Sequence, residues 1–376
     1  MKDTGKGPAL LRLNNEKRVM TALRHQRVTS RQDLSRALAL SKNTVSLIID
    51  DLIATGRVEE RGAVTSSGVG RRKIEIALRP EMLQTAGIMV ERQRVHMRVC
   101  DYFSQVLEEK SWQTQTQAPG PLLAELAQCC QQLALARPAL LGIALGFPGI
   151  IDPQRGWMHH SSHLGWSETN LLAPVQAGIT LLLAMNSVKA AALLSVQQLR
   201  LDPSDNCFYL RVAEGVGGAL VRGGSVYTGS SWTAGEVGHL TIDSQGPRCT
   251  CGRNGCLETL ISIPAVQRQF AERVPGLSWE KRECAPEMVD ELMVQAGDRL
   301  GIALGQIMLL LNPANIVVDA PWSHHPRFVA AAQQRAQSSA LGFTVQHTRL
   351  HFLQERIDPV TGLALAVIER YESPVG

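Results

Sequence analysis

With 376 residues, 44% of them hydrophobic and 19% charged, the chain has the make-up of a folded protein with two or three cores, which excludes a disordered tail. The net charge of +4 hides a basic head, 16 Lys and Arg against 8 Asp and Glu over residues 1–80, on a mildly acidic body, 22 against 26; such asymmetry suggests a nucleic-acid module joined to something else. No basic segment followed by an apolar one opens the sequence, and ALLGIALGF, ITLLLAM and IMLLL fall short of the roughly 18–20 apolar residues of a membrane span, so a cytoplasmic protein with no membrane insertion is expected.

In chain order, residues 14–26 (NNEKRVMTALRHQ), 30–40 (SRQDLSRALAL) and 41–56 (SKNTVSLIIDDLIATG) read as three short helices. Ser30 precedes Asp33 and Ser41 precedes Thr44 by three residues, which suits both serines as N-caps, and Gly56 stands where the third helix should end. In that helix Val45, Ile48, Ile49, Leu52 and Ile53 recur at three- and four-residue spacing and would face a core. Its first turns would then present Ser41, Lys42, Asn43, Thr44, Ser46 and Leu47 outward, with short hydrogen-bonding side chains able to reach base edges in a major groove. RVEER and KIEIAL read as two strands around a Gly/Ser-rich tip that ends in Arg71, Arg72 and Lys73, a basic wing suited to phosphates or a minor groove. Residues 1–80 are thus expected to form a winged helix-turn-helix that binds double-stranded DNA; the alternative is a winged helix used to dock protein.

From Gln84 the pattern changes to that of an α/β body. TAGIMVE, RVHMRVCD and QVLEEKS suggest a strand meander, PLLAELAQCCQQLALA a helix, and LLGIALGFPGIID a buried strand running into a glycine-proline loop. After a helix around 187–199, NCFYLRVAEGVGGALV (206–221) repeats the strand, glycine turn, strand pattern. Two α/β lobes facing a cleft for a small molecule are expected.

Eight cysteines in a reducing compartment mean metal binding, catalysis or burial. Cys100, Cys129, Cys130, Cys207 and Cys284 are scattered among apolar neighbours and read as buried packing. In GEVGHLTIDSQGPRCTCGRNGCLET, by contrast, His239, Cys249, Cys251 and Cys256 supply one imidazole and three thiolates within 18 residues. That donor set suits tetrahedral Zn2+ with no open position, a structural site, and Gly252 and Gly255 let the loop turn back on itself. Unmetallated cysteines and a redox switch are the alternatives.

The His-x9-Cys-x-Cys-Gly-x2-Gly-Cys-x-Glu stretch, together with LGIALGFPGIID and GEVGH, resembles the ROK family of bacterial sugar kinases, transcriptional repressors and open reading frames, over nearly the whole chain. SRQDLSRALALSKNTVSLIIDDLI and the Gly-Arg-Arg after the wing resemble its repressor branch, in which glucose- and N-acetylglucosamine-responsive regulators stand. The resemblance implies a two-lobed, actin-like α/β sugar-kinase fold over residues 81–376, with lobes of about 81–195 plus the C-terminal helix and of 196–355. It also implies a structural zinc and assembly as homodimers or homotetramers.

Phosphoryl transfer needs glycine turns for phosphate and a carboxylate base. Where kinases of the family carry an Asp-x-Gly-Gly-Thr turn, this chain reads VERQRVH; where they carry an Asn-Asp pair, it has Asn186 and Ser187. Their second phosphate turn becomes Ala213-Glu214-Gly215-Val216-Gly217, and two glycines near the adenine become Asp319-Ala320. No kinase activity is expected. On the sugar side, Asn186, Glu236, His239 and Glu258 match the family's sugar-binding positions, His239 serving zinc and sugar at once, and His163 in SSHLGW is a further candidate. The bland alternatives are a helix cap for Asn186 and solvated surface carboxylates for the two glutamates. The expected function is a DNA-binding repressor of sugar uptake or catabolism genes with a sugar or sugar-phosphate effector. Control by a protein partner such as a phosphotransferase component, or an active sugar kinase, are its rivals.

Overall fold

The computed structural model describes residues 6–64, 73–176 and 178–374. The chain divides into two units, Met1–Met185 with Leu363–Gly376, and Asn186–Gly362.

The first unit opens with α1 (Lys6–Gln26), β1 (Val28–Ser30), α2 (Arg31–Leu38), α3 (Lys42–Ala54), β2 (Val58–Val64) and β3 (Lys73–Leu78). The three strands form an antiparallel sheet in the order β1-β3-β2. Ser30 and Ser41 cap α2 and α3 by accepting from the backbone N–H of Asp33 (3.2 Å) and Thr44 (3.0 Å), each satisfying a donor that the helix itself cannot. Between the helices, Ala39 takes a left-handed conformation (φ 52°) and Leu40 N–H bonds Ser35 O at 3.1 Å, which makes the turn tight. Val45, Ile48, Ile49 and Leu52 of α3, Val19, Met20 and Leu23 of α1 and Leu34 of α2 are all buried where α3 packs on α1 and α2, while Ile53 is half-buried. Helix α1 starts eight residues before the expected 14. Pro8 is tolerated in a first turn, and ALLRL favours a helix, but Leu11 and Leu13 stay exposed there, so no buried stripe marks the start.

The rest of the first unit holds β4 (Gln84–Glu91), β5 (Arg94–Cys100), β6 (Val106–Gln113), α4 (Pro119–Ala136), β7 (Leu140–Phe147), β8 (Ile150–Asp152), β9 (Trp157–Ser161), β10 (Trp166–Asn170) and β11 (Leu182–Asn186). Its main sheet runs β11-β7-β4-β5-β6, with β4 parallel to β7 and β4-β5-β6 an antiparallel meander. Ile88, Val95, Ile143, Leu145 and Phe147 of this sheet bury with Leu122, Leu126 and Leu133 of α4.

The second unit holds α5 (Ser187–Gln198), β12 (Cys207–Val212), β13 (Val216–Arg222), β14 (Ser225–Tyr227), α6 (Leu257–Ile261), α7 (Ile263–Arg273), α8 (Pro286–Leu311), β15 (Asn315–Asp319), α9 (Pro326–Ser339), α10 (Gly342–His347) and β16 (Arg349–Phe352); α11 (Pro359–Glu372) follows. Its sheet, β14-β13-β12-β15-β16, repeats the first unit's plan: an antiparallel meander, then a parallel neighbour to its first strand. Parallel strands buried on both faces explain the continuous apolar run of NIVVD, all five residues buried.

The burial of scattered cysteines needs a correction. Cys100, Cys130 and Cys207 are buried and Cys129 is half-buried, but Cys284 is exposed. It ends a 3-10 turn (Trp279–Cys284) whose Glu280, Lys281, Arg282 and Glu283 hold that segment in water.

Candidate functional site

The cysteine-rich loop folds on its own backbone. His239 ends a 3-10 turn (Val237–His239), after which Thr241 pairs with Cys256 and Arg248 with Asn254 in isolated antiparallel bridges. Gly255 N–H donates to Pro247 O and Gly255 O accepts from Ile242 N–H, both at 2.8 Å. Gly255 has φ +62°, and a Cβ there would lie 1.4 Å from Asp243 O, so no other residue fits this crossing. Cys249 N–H to Arg253 O at 2.7 Å closes the short turn that carries Cys251.

This fold gathers the four expected donors so that their ligand atoms all lie within 4.8 Å of one another. Cys249 Sγ stands 3.5 Å from His239 Nδ1, and Cys251 Sγ stands 3.6 Å from Cys256 Sγ. Ligands on a tetrahedron around zinc, at about 2.3 Å for sulfur and 2.0 Å for nitrogen, are about 3.5–3.8 Å apart, so the donor set fits such an ion. The Arg253 N–H and guanidinium pull the exposed Cys251 thiol down to about 6, whereas burial pushes Cys256 up to about 12. Thiolates this close repel one another; a divalent cation removes the repulsion and lets all three ionise. With Nδ1 facing the sulfurs, the Nε2 of His239 points away from them.

Of the other candidate ligand residues of the second unit, Glu236 lies within electrostatic reach of that imidazole. Glu236, just before the 3-10 turn, is open to solvent, yet burial of its surroundings raises its carboxyl, and Glu258 adds to this while His239 and Lys189 oppose it. Glu258 is half-buried and not merely solvated: one oxygen accepts from Val216 N–H at 2.9 Å, inside the Ala213–Gly217 turn. Asn186 does serve as a cap, its Oδ1 accepting from the N–H groups of Val188 (2.8 Å) and Lys189 (3.3 Å) at the start of α5. His163 is exposed on the β9–β10 turn of the first unit, outside this second-unit set.

Lys189 escaped the sequence reading. It is only 6% exposed, its ammonium donates to Trp232 O at 2.6 Å, and burial lowers its pKa while Glu236 opposes the shift. The only signal was a lone lysine in the apolar run SVKAAALLSV. Asp319 is also more than a missing glycine. Fully buried, it is held by Arg211 Nη1 at 2.7 Å, by Arg356 and by the Tyr209 hydroxyl, so an ionic cluster fills the end of β15. The β4–β5 turn is closed by Gln93 at φ 62°, again without glycine.

On the head, Ser41, Lys42, Asn43 and Leu47 are exposed along the N-terminal half of α3, and Thr44 and Ser46 are half-buried. The Ser41 hydroxyl is shared between its cap and the Thr44 hydroxyl at 2.8 Å. Lys73 opens β3, opposite Val64. Arg71 and Arg72 lie outside the described residues.

Residues 85–358 match the profile of the ROK family. A putative xylose repressor of Caldicellulosiruptor sp. is 26% identical over 334 residues, 82% of this chain and 84% of that one. A solved ROK family transcriptional regulator, described as a homolog of the E. coli MLC protein, aligns over 96% of this chain and 97% of its own, with TM-score 0.79 and 22% identity. A ROK family glucokinase from Streptomyces griseus, in complex with glucose and AMPPNP, aligns over 75% of this chain and 98% of its own, with TM-score 0.63 and 19% identity. At these identities the two structures establish the fold, actin-like α/β. A match over 96% of the chain takes in most of residues 1–80; the kinase match leaves a quarter of the chain unmatched.

Proposed function

We propose that this chain, which belongs to the ROK family, is a DNA-binding transcriptional repressor of sugar uptake or catabolism genes whose effector is a sugar or sugar phosphate. The observation that carries the reading is the head: a capped helix α3 that buries Val45, Ile48, Ile49 and Leu52 and turns Lys42, Asn43 and Leu47 to solvent. A helix built this way enters a major groove with its first turns on base edges, while Arg71, Arg72 and Lys73 of the wing add salt-sensitive phosphate contacts. Ser41, Thr44 and Ser46 complete the DNA-facing set. Residues 1–80 are the winged helix-turn-helix domain, and 81–376 bind the effector and form the homodimer or homotetramer. A twofold assembly sets two α3 helices into successive major grooves, about 10 base pairs or a multiple apart.

Asn186, Glu236, His239 and Glu258 take the sugar hydroxyls. His239, Cys249, Cys251 and Cys256 hold the structural zinc, a closed four-ligand ion that fixes the imidazole so that Nε2 meets the ligand in one tautomer. The site is not catalytic. Ser187 has no carboxylate to act as base, Glu214 would aim a charge at phosphate, and the buried Asp319 cluster stands where the resemblance puts the glycines near the adenine. The effector switches expression only if it binds one arrangement of the heads a few kcal/mol better than the other. Such a protein works in the cytoplasm, on the nucleoid when DNA-bound.

A second reading, control by a protein partner with a vestigial sugar pocket, draws on one observation: Asn186 Oδ1 and one oxygen of Glu258 already serve backbone amides. Calorimetry with D-xylose, D-glucose, N-acetyl-D-glucosamine and their phosphates separates the readings when combined with an ADP-release assay in ATP and Mg2+. One compound should give saturable heat that Glu236→Gln abolishes, with no sugar-dependent ADP. Sugar-dependent ADP release would make the chain a kinase, and no heat from any compound would favour the protein partner.

A further inference from the structure

We infer that Arg24, Tyr102 and Glu372 form the joint that positions the DNA-binding head, so that the C-terminal helix, not a flexible linker, sets where α3 stands. The inference rests on the DNA-binding reading above. Arg24, in the last turn of α1, reaches Glu372 with both arms of its guanidinium, Nε to Oε1 at 2.7 Å and Nη2 to Oε2 at 2.8 Å. Both side chains are nearly sealed from water, 8% and 7% exposed. The hydroxyl of Tyr102, a residue with no exposure just after β5, donates to Glu372 Oε1 at 2.8 Å.

Neighbouring contacts extend the seam along the same face. Lys17, seven residues before Arg24, donates to Ser373 O at 2.7 Å; the Arg27 guanidinium lies 3.7 Å from the centre of the Phe103 ring; and Tyr102 meets Tyr371 edge-on at 6.4 Å. Glu369, one turn before Glu372, brings a second carboxyl toward the same guanidinium, and burial pushes it up to about 8.

The connection from head to body is itself pinned. Only residues 79–83 separate β3 from β4; within them Arg79 N–H bonds Arg57 O at 2.8 Å, Pro80 O accepts from Tyr102 N–H at 3.2 Å, and Leu83 is buried. A free-swinging module needs a polar, flexible tether, and this is not one.

A forked ion pair under burial is directional in a way that an apolar seam is not: a small rotation of α1 leaves two charges unpaired in a dry site. The first turn of the helix that carries Glu372, residues 359–362, belongs to the second unit, where Asp358 caps it through Thr361 N–H at 2.8 Å.

The test compares the full-length wild type with Glu372→Gln and Tyr102→Phe on two duplexes of equal length, one from upstream of the protein's own gene and one of random sequence. Glu372→Gln should weaken the upstream duplex about tenfold and Tyr102→Phe about threefold. The random duplex should stay within twofold and the salt slope should not change, because each head still meets the same phosphates. Equal losses on both duplexes, or none on either, overturn the joint. If the wild type does not distinguish the duplexes, it is the DNA-binding reading that fails. Amide exchange over residues 17–26 then decides the joint alone: Glu372→Gln should speed it about tenfold relative to residues 122–133, and an unchanged ratio overturns it.

Discussion

The loop from His239 to Cys256 and the meeting of Arg24 with Glu372 both hold chain segments together through charge, and they do so in opposite ways. The loop gathers its donors from 18 consecutive residues, leaves Cys251 exposed, and brings thiols together that resist joint ionisation. An added divalent cation would relieve that resistance. The Arg24 junction spans 348 positions, needs no ion, and neutralises its charges inside the fold. One element therefore depends on solution conditions, the other on the packing of distant segments.

The contrast can be broken most severely at the loop. Chelation, or Gly255→Ala with its Cβ 1.4 Å from Asp243 O, should release the metal and cost several kcal/mol, seen as a lower unfolding midpoint and loss of bound zinc. Full stability after metal removal would show that the loop holds without an ion. At the junction, Arg24→Ala should cost about 3–5 kcal/mol because it strands a buried carboxylate. That loss should be the same with and without chelator, and it should add to that of Cys249→Ser, since the two sites share no partner.

A subtler effect belongs to Glu369. Its folded-state value of about 8 lies above the ordinary 4.5, so folding favours its neutral form. Stability should fall as pH rises from about 4.5 to about 8, and Glu369→Gln should flatten that slope in denaturant titrations. A slope unchanged by the substitution would assign the titration to another group. Smallest of all, Ser41→Ala removes the α3 cap and should cost about 1 kcal/mol, with amide exchange rising first at Thr44.

The same contrast explains what could be read before the fold was known. The His/Cys loop, the Ser30 and Ser41 caps and the buried stripe of α3 are short-range patterns in which spacing alone dictates geometry. Arg24 and Glu372 carry no mutual signal in the sequence, because their pairing depends on where the last helix packs. Lys189 stands in an apolar helix, and its partner Trp232 O lies 43 positions away, so the sequence carries no sign of the bond. Asn186 could be read as a cap or a sugar contact, and only the α5 amides showed that its oxygen is used as a cap. The bond from Val216 N–H to Glu258 was not legible, since it joins positions 42 apart. Cys284 is exposed because the four charged residues before it outweigh its apolar neighbours.

The central claim is that a sugar-responsive body governs a DNA-binding head, and a mobility shift at fixed salt on the duplex from upstream of the protein's own gene tests it most directly. The account predicts a specific complex that weakens steeply with added salt, that Asn43→Ala impairs, and that one sugar or sugar phosphate of the panel releases. A protein that shows no preference for that duplex over random DNA at any salt concentration would contradict it.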